Sequence, residues 1–433
     1  MERIGKYRII GKLGEGATST VYLAHDDFAR RDVAIKVMSQ EVLSDRDRGH
    51  AYHRMLVNEA ALAGRLMHPH IVQIYDAVVD EALSYIVMEY VRGGTLEQFC
   101  TPEHLLPTER LVEIVFKCSR ALDYACRMGI THRDIKPANI LLTEAEGEGE
   151  GAAGSDIKIS DFGAALTTGT DRTQVAGVGS PAYMSPQQIN ESPLDHQTDI
   201  YSLGVVMYQL LCGRLPFQAG NNYSMMYQIT QVEPPPPSSF RADIPPSLDA
   251  IVGRAMKKRI DLRYATWDEF SHDLSLTFRN EQLSASQQGI LDSEKFGTLR
   301  ALRFFNDFSD VEIWEVVRFS KWEVVEPDTV IMKDGEPGDF FCFLTEGKVR
   351  VSKRKHTLDL LSPGECFGEM ALIGNHNRIR GADVVAHTVA RIITIRGESL
   401  RQASEACRMH FYQSFLEVLA IRLGLANIRL TSI

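Results

Sequence analysis

The chain has 433 residues and a formal net charge of −10, with 47 Lys and Arg against 57 Asp and Glu and a hydrophobic fraction of 44%. That length holds two or three domains without limiting the core, and the fractions are those of an ordinary soluble globular protein. The acidic balance and the absence of a long Lys/Arg run argue against nucleic acid as a partner, because phosphate binding needs a basic patch.

Cys100, Cys118, Cys126, Cys212, Cys342, Cys366 and Cys407 are scattered, odd in number and never spaced as Cys-x-x-Cys. A reducing compartment fits that usage and zinc does not. The stretch from Met1 to Lys12 is charged and lacks the apolar core of a signal peptide, and no apolar run reaches membrane-spanning length. A cytoplasmic protein without a membrane span is expected.

In chain order, Tyr7 to Ala24 alternates apolar residues on both sides of a small-residue turn, which predicts a hairpin. Gly14 and Gly16 at that turn let backbone amides approach phosphate oxygens without a Cβ in the way. Val33 to Val37 reads as a buried strand carrying one ammonium, Lys36, which needs a carboxylate or a bound anion. Arg54 to Met67 is a helical pattern with Glu59 as its inward carboxylate. Ser84 to Gly94 is a strand running into a glycine turn, and Leu111 to Met128 an amphipathic helix.

Ile130 to Leu142 carries His132-Arg133-Asp134-Ile135-Lys136-Pro137-Ala138-Asn139, and Asp161-Phe162-Gly163 follows after an insert. Asp134 can accept a proton from an attacking hydroxyl, Lys136 can neutralise charge on a transferred phosphoryl group, and Asn139 and Asp161 supply hard oxygens of the kind Mg²⁺ prefers. The insert Thr143–Ser155, rich in Glu and Gly, reads as a mobile hairpin loop or an acidic docking tail. The polar segment to Val178 holds Thr167, Thr168, Thr170 and Thr173 and closes on Gly179-Ser180-Pro181.

These motifs resemble, in order and spacing, the protein kinase domain of bacterial Hanks-type Ser/Thr kinases. The resemblance implies an α+β, two-lobed fold over residues 7–278, with an N-lobe at 7–88, a hinge at 89–94 and a C-lobe at 95–278. It implies a glycine-rich loop of Leu13, Gly14, Glu15, Gly16, Ala17, Thr18, Ser19, Thr20 and Val21 over ATP, with Ser19 in place of the third glycine. Ala34 would roof the adenine, Met88 would be the gatekeeper, the Glu89 and Val91 backbones would bond the base, and Leu141 would floor the pocket. Lys36 would pair with Glu59, Asn139 and Asp161 would hold metal, and Asp134 with Lys136 would carry the chemistry. Thr173 is the implied activation-loop phosphosite, with Arg133 as the cation that meets it. Asp199 matches the family's buried aspartate that braces the catalytic loop. Ser185-Pro186-Gln187 stands where the family has Ala-Pro-Glu, so an ion pair to Arg263 becomes a neutral hydrogen bond.

Beyond a polar linker at 279–295, Thr298 to Val317 gives two short helical patterns. Strands are predicted at 324–332, 340–344, 348–353, 358–361 and 383–395, punctuated by Gly335, Gly338, Gly347 and Pro363-Gly364, with a final helix from Gly397 to Leu425. Asp334-Gly-Glu-Pro-Gly-Asp, Pro363-Gly-Glu-Cys-Phe-Gly-Glu-Met-Ala-Leu372 and Arg380-Gly-Ala-Asp resemble a cyclic-nucleotide-binding domain, a β-roll with flanking helices over residues 296–425. That likeness implies a phosphate cassette of Gly368, Glu369, Met370, Ala371 and Arg380, with Glu369 on the ribose hydroxyl and Arg380 on the cyclic phosphate. Arg378 competes with Arg380 for that place. Asp383 would either repel the phosphate or pair with Arg380.

The function expected is transfer of the γ-phosphoryl of Mg-ATP to Ser or Thr of a protein substrate, with cAMP or cGMP as effector. A kinase-shaped scaffold whose C-terminal domain is a degenerate dimerisation or autoinhibitory module is the alternative.

Overall fold

A computed structural model describes residues 2–16, 18–39, 49–62, 64–80, 83–144, 156–162, 166–167, 181–280, 291–354, 356–370 and 379–431. Ala17, Gly163, Thr173, Ala371, Arg378 and most of the acidic insert lie outside the described residues. The chain divides into two units, Met1–Gln287 and Gln288–Ile433. Among the described residues no helix is long and apolar enough to cross a membrane.

The first unit opens with an antiparallel sheet in the order β1-β2-β3-β4-β6-β5. Its strands are β1 (Arg3–Ile4), β2 (Tyr7–Glu15), β3 (Ser19–Asp26), β4 (Arg31–Met38), β5 (Ile74–Val78) and β6 (Tyr85–Glu89), and helix α1 (Gly49–Ala61) falls between β4 and β5. One face closes over Tyr7, Ala24, Val33, Ile35 and Val87; the other gathers Met38 and Ile86 against Leu56 of α1. Side chains alternate along a strand, so Lys36 shares the face of Met38 and looks toward α1.

The rest of this unit is helical, apart from the strand pairs β7 (Ile130–Thr131) with β10 (Leu166–Thr167) and β8 (Ile140–Leu142) with β9 (Ile157–Ile159). Helices α2 (Thr108–Arg127), α3 (Pro186–Ile189), α4 (His196–Cys212), α5 (Asn222–Gln231), α6 (Pro246–Ala255) and α7 (Trp267–Asn280) follow the chain. Buried residues run almost unbroken along α4, as a helix at the centre of a bundle requires. It packs on α2 and α6, and α2 packs on α7.

The second unit begins with α8 (Asp292–Ala301) and α9 (Asp310–Phe319) and continues into two four-stranded sheets. Their orders are β11-β18-β13-β16 and β12-β17-β14-β15, built from β11 (Lys321–Val325), β12 (Val330–Met332), β13 (Phe340–Glu346), β14 (Val349–Lys353), β15 (His356–Leu361), β16 (Cys366–Phe367), β17 (Asp383–Ala386) and β18 (Ala390–Arg396). Met332, Leu344, Val349, Phe367, Val384 and Ile392 fill the core of this roll. After α10 (Gly397–Gln402), the long α11 (Glu405–Thr431) lays Phe411 and Phe415 on Phe304, Phe305, Phe308 and Phe341, with ring centroids 5.1 Å apart for Phe308–Phe411 and 5.0 Å for Phe341–Phe415.

Three expectations need correction. Helix α1 ends at Ala61 instead of Met67, because the amides of Leu62 and Arg65 turn back three residues to Glu59 and Leu62. The stretches 324–332 and 383–395 are each two strands; in the first, Pro327 and Asp328, at φ 64°, turn the chain. The final helix is broken after Gln402, where Ser404 donates to and accepts from other elements: its amide and hydroxyl bond Glu315 at 2.6 and 2.7 Å, and its Oγ accepts the Cys407 amide. That hydroxyl restarts the helix as an N-cap.

Phe411 is fully buried at the centre of the aromatic cluster. Phe411→Ala is expected to cost about 3–5 kcal/mol of unfolding free energy in the second unit, read as a lower urea midpoint.

Candidate active site

The Lys36 Nζ on β4 lies 3.2 Å from Oε2 of Glu59 on α1 and also bonds Oδ1 of Asp161, just past β9. Burial pulls the Lys36 pKa down, but the two carboxylates outweigh it and hold the ammonium above its ordinary value. Burial pushes the Glu59 carboxyl up, with Lys36 opposing. For Asp161 burial works the same way, but the attraction of Lys36 wins and its pKa falls below the usual carboxylate range. Asp161 sits at φ 63°, a left-handed conformation that costs a non-glycine residue on the order of 1 kcal/mol and persists only where surroundings hold it. Its side chain is still 41% exposed, so one oxygen remains open to the cleft.

The loop from β7 to β8 is held from below. Asp199, in the first turn of α4, accepts the amides of His132 and Arg133, both at 2.7 Å. His132 Nε2 donates to the Ser160 carbonyl at 2.9 Å while its Nδ1 accepts the Asp134 amide at 3.2 Å, which sets the tautomer. The same ring packs on Phe162 with centroids 4.4 Å apart. Asp134 is thereby presented with its carboxylate 2.7 Å from Lys136 Nζ and 3.1 Å from Asn139 Nδ2. Asn139 Nδ2 also bonds the Asp134 carbonyl at 2.8 Å. With its nitrogen so engaged, Asn139 has only Oδ1 to offer a cation.

Register places the expected nucleotide-facing residues together. Gly14 pairs with Val21, Val21 with Lys36, Thr20 with Val37 and Ala34 with Met88. The Gly16 amide bonds the Ser19 carbonyl at 2.8 Å and closes the loop, the Thr18 carbonyl takes the Ser39 amide, and Glu15 pairs with Lys12 beside exposed Leu13. Past β6 and Val91, Gly93 has φ 135°, and a Cβ there would run into the Leu142 carbonyl. That close approach, with the Leu142 amide on the Gly94 carbonyl at 2.9 Å and a bridge from Thr95 to Leu141, fastens the hinge to β8. The Glu89 amide donates to Gln73 at 2.8 Å and its carboxylate meets Lys158 at 3.0 Å, so its side chain serves the framework.

Gln188 was not foreseen: its amide nitrogen donates to the Arg133 carbonyl at 2.8 Å and its oxygen accepts the Ser185 amide at 2.9 Å. The Ser185-x-x-Gln188 spacing is a capping box, a signal readable from sequence. Gln187 accepts from Arg263 at 3.1 Å, the neutral bond expected in place of an ion pair. Lacking a carboxylate there, Arg263 is pulled down to about 10 by burial. Beside it Lys258 Nζ has no hydrogen-bond acceptor among the described residues, lies 4.2 Å from the Phe217 ring centroid, and is pulled down to about 8 by burial.

In the second unit Glu369 is only 1% exposed and is already paired: Arg422 of α11 donates to its Oε1 at 2.6 Å and to the Cys366 carbonyl at 2.5 Å. The sequence offered no signal for Arg422, which stands 53 residues from its partner. Arg380 is buried, donating to the carbonyls of Gly368 at 2.9 Å and Phe340 at 2.7 Å. Gly368, at φ 84°, has no room for a Cβ against Arg380 and Met332, and Met370 points to solvent. Asp383 Oδ1 accepts the Asp334 amide at 2.9 Å, so this carboxylate braces the turn at 334–335.

The family model described as "Protein kinase domain" matches residues 7–274, and that described as "Cyclic nucleotide-binding domain" matches residues 322–407. Serine/threonine-protein kinase PknB of Mycolicibacterium smegmatis is 36% identical over 304 residues, covering 68% of this chain and 46% of that protein. A probable serine/threonine-protein kinase of Streptomyces coelicolor is 36% identical over 290 residues, covering 65% and 41%. The crystal structure of the Mycobacterium tuberculosis PknI kinase domain matches with a TM-score of 0.51 and 27% identity, over 63% of this chain and 97% of that one. The chain spans less than half the length of the curated relatives it matches.

Lys258 supplies a pH test. Its folded pKa of about 8 lies below the ordinary 10.5, so the unfolded chain binds the extra proton between those values and stability rises with pH across that window. Lys258→Met is expected to raise the melting temperature at neutral pH and to flatten that rise.

Proposed function

We propose, from the premise that the chain belongs to the protein kinase domain family, that it moves the γ-phosphoryl group of ATP onto Ser or Thr hydroxyls of protein substrates. The observation that carries this reading is the joint placement of Lys36, Glu59 and Asp161 beside Asp134, Lys136 and Asn139. Asp134 accepts the proton of the incoming hydroxyl as its oxygen bonds to phosphorus; the bond to the bridging oxygen breaks, and the electron pair leaves with ADP. Lys136, 2.7 Å from that carboxylate, also balances charge on the moving group. Lys36 is held by its two carboxylates to meet the nucleotide's phosphates.

Mg²⁺ fits the donors present. Asn139 Oδ1 and the open Asp161 oxygen are hard ligands, and no cluster of three or more His, Cys, Asp or Glu among the described residues forms an all-protein cage. An ion held by few protein oxygens that completes its shell with phosphate and water suits this set, and would neutralise charge on the phosphates. The seven free thiols support a reducing, cytoplasmic setting.

The second unit supports a regulatory reading in which cAMP or cGMP reaches Glu369 only by displacing Arg422, which ties the ligand site to α11. The same contact favours the alternative of a closed domain that binds nothing, since the ribose glutamate is already paired.

Three outcomes test these assignments. Asp134→Asn is expected to lower radiolabelled phosphate transfer by about 10²–10⁴-fold while leaving ATP binding intact; equal transfer would refute the base. Incubation with ATP and Mg²⁺ should place phosphate on Thr173 by mass spectrometry, and none between residues 164 and 180 removes autophosphorylation of this segment. In calorimetry Arg422→Ala should bind cAMP or cGMP about tenfold more tightly than wild type, a difference of about 1.4 kcal/mol. No heat from either protein would leave the closed-domain reading.

A further inference from the structure

A cavity of about 190 Å³ opens in the second unit between α11, Phe304 and the turn into β16. It is not the interior of the roll. Strand alternation turns Cys342 and Phe367 into the roll core, whereas Cys366 shares the face of Phe343, whose ring lies 4.8 Å from that of Phe304. The cavity is therefore on the helical side of this sheet, and none of Gly368, Glu369 and Arg380 lines it. Its apolar wall is Phe304, Val418 and Ile421. Two of its polar side chains are already engaged: Ser414 Oγ donates to the Phe304 carbonyl at 2.9 Å, and Glu365 accepts the Ser362 amide at 2.7 Å. Glu417 is exposed, where water screens its charge. Two guanidinium groups remain. Arg303 has no hydrogen-bond or ion-pair partner among the described residues, and Arg422 uses only part of its five-donor fork on Glu369 and the Cys366 carbonyl.

We propose that this cavity binds a small carboxylic acid built on one aromatic ring, with its carboxylate against Arg303 and Arg422 and its ring against Phe304, Val418 and Ile421. Size argues for the ring: an apolar protein cavity of about 150 Å³ takes up benzene, and the larger volume here leaves space for a carboxylate. Charge argues for the acid, since a guanidinium presents paired N–H donors at the spacing of carboxylate oxygens. A bare phosphate or sulfate would meet the arginines but leave the apolar wall facing water, and a neutral ring would make no use of Arg303. The cavity does not depend on nucleotide binding by the cassette. Arg422 nevertheless belongs to both places, so an acid bound here draws on the side chain that holds Glu369.

The test is equilibrium dialysis of the full chain against radiolabelled benzoate. Wild type is expected to bind it, and Arg303→Gln to bind about tenfold more weakly with unchanged thermal unfolding, because Arg303 is exposed. Val418→Trp should abolish binding by filling the cavity; Ile421→Trp, at an exposed position, takes its place if Val418→Trp does not fold. Acetate, which lacks the ring, and benzyl alcohol, which lacks the carboxylate, should each compete about tenfold more weakly than unlabelled benzoate. Absence of binding at millimolar benzoate overturns the proposal. Binding that Arg303→Gln or the folded tryptophan variant leaves unchanged also overturns it, because benzoate would then sit elsewhere. Competition by benzyl alcohol equal to that of benzoate would remove the role of the arginines.

Discussion

A single ammonium group, that of Lys36, ties the sheet of the first unit to its helical part. Left alone on a buried strand face it would cost several kcal/mol, and that cost is what makes two carboxylates from distant segments converge on it. Glu59 can reach it only if α1 packs on the sheet face that carries Met38 and Ile86, and Asp161 only if the chain after β9 adopts a left-handed turn. Two local features thus follow from one electrostatic demand. The outcome is a charged lysine and a charged aspartate facing one cleft.

Asp199 does for the catalytic loop what Lys36 does for the cleft. Its carboxylate takes two backbone amides of a segment too irregular to satisfy them itself, and it stands on the most deeply buried helix of the unit. Position is thereby transmitted from a rigid core to Asp134 through His132, whose two nitrogens are both engaged. The loop that carries Asp134 is thereby braced on a helix buried in the core. Gln188 adds a further strut to the same loop, and Gln187 accepts from Arg263, whose guanidinium also donates to the Lys257 and Gln197 carbonyls while burial lowers its pKa.

In the second unit the physics runs toward self-satisfaction. Glu369 and Arg380, polar and nearly buried, cannot wait unpartnered for a ligand; Arg422 and two carbonyls supply what burial demands. The helix that provides Arg422 is packed on one side by phenylalanines and left apolar on another, so one element joins the cassette, the core and a free surface.

Much of this was legible in the order of residues. Period-two and helical spacing located most strands and helices, and motif spacing singled out Asp134, Lys136, Asn139, Asp161, Lys36 and Glu59, whose contacts with one another the structure then displays. The Gln187–Arg263 bond was foreseen from one departure in a motif. The ends of α1, the turn inside 324–332 and the break before Ser404 were not, since each depends on a hydrogen bond or turn that overrides local propensity. Arg422 on Glu369, Arg380 on backbone carbonyls and Asp383 on the Asp334 amide belong wholly to the tertiary structure. Sequence determines which charges a chain must bury; only the packed fold decides which partner lies near enough to pay that cost, because the pairing is set by distance across elements and not by separation along the chain.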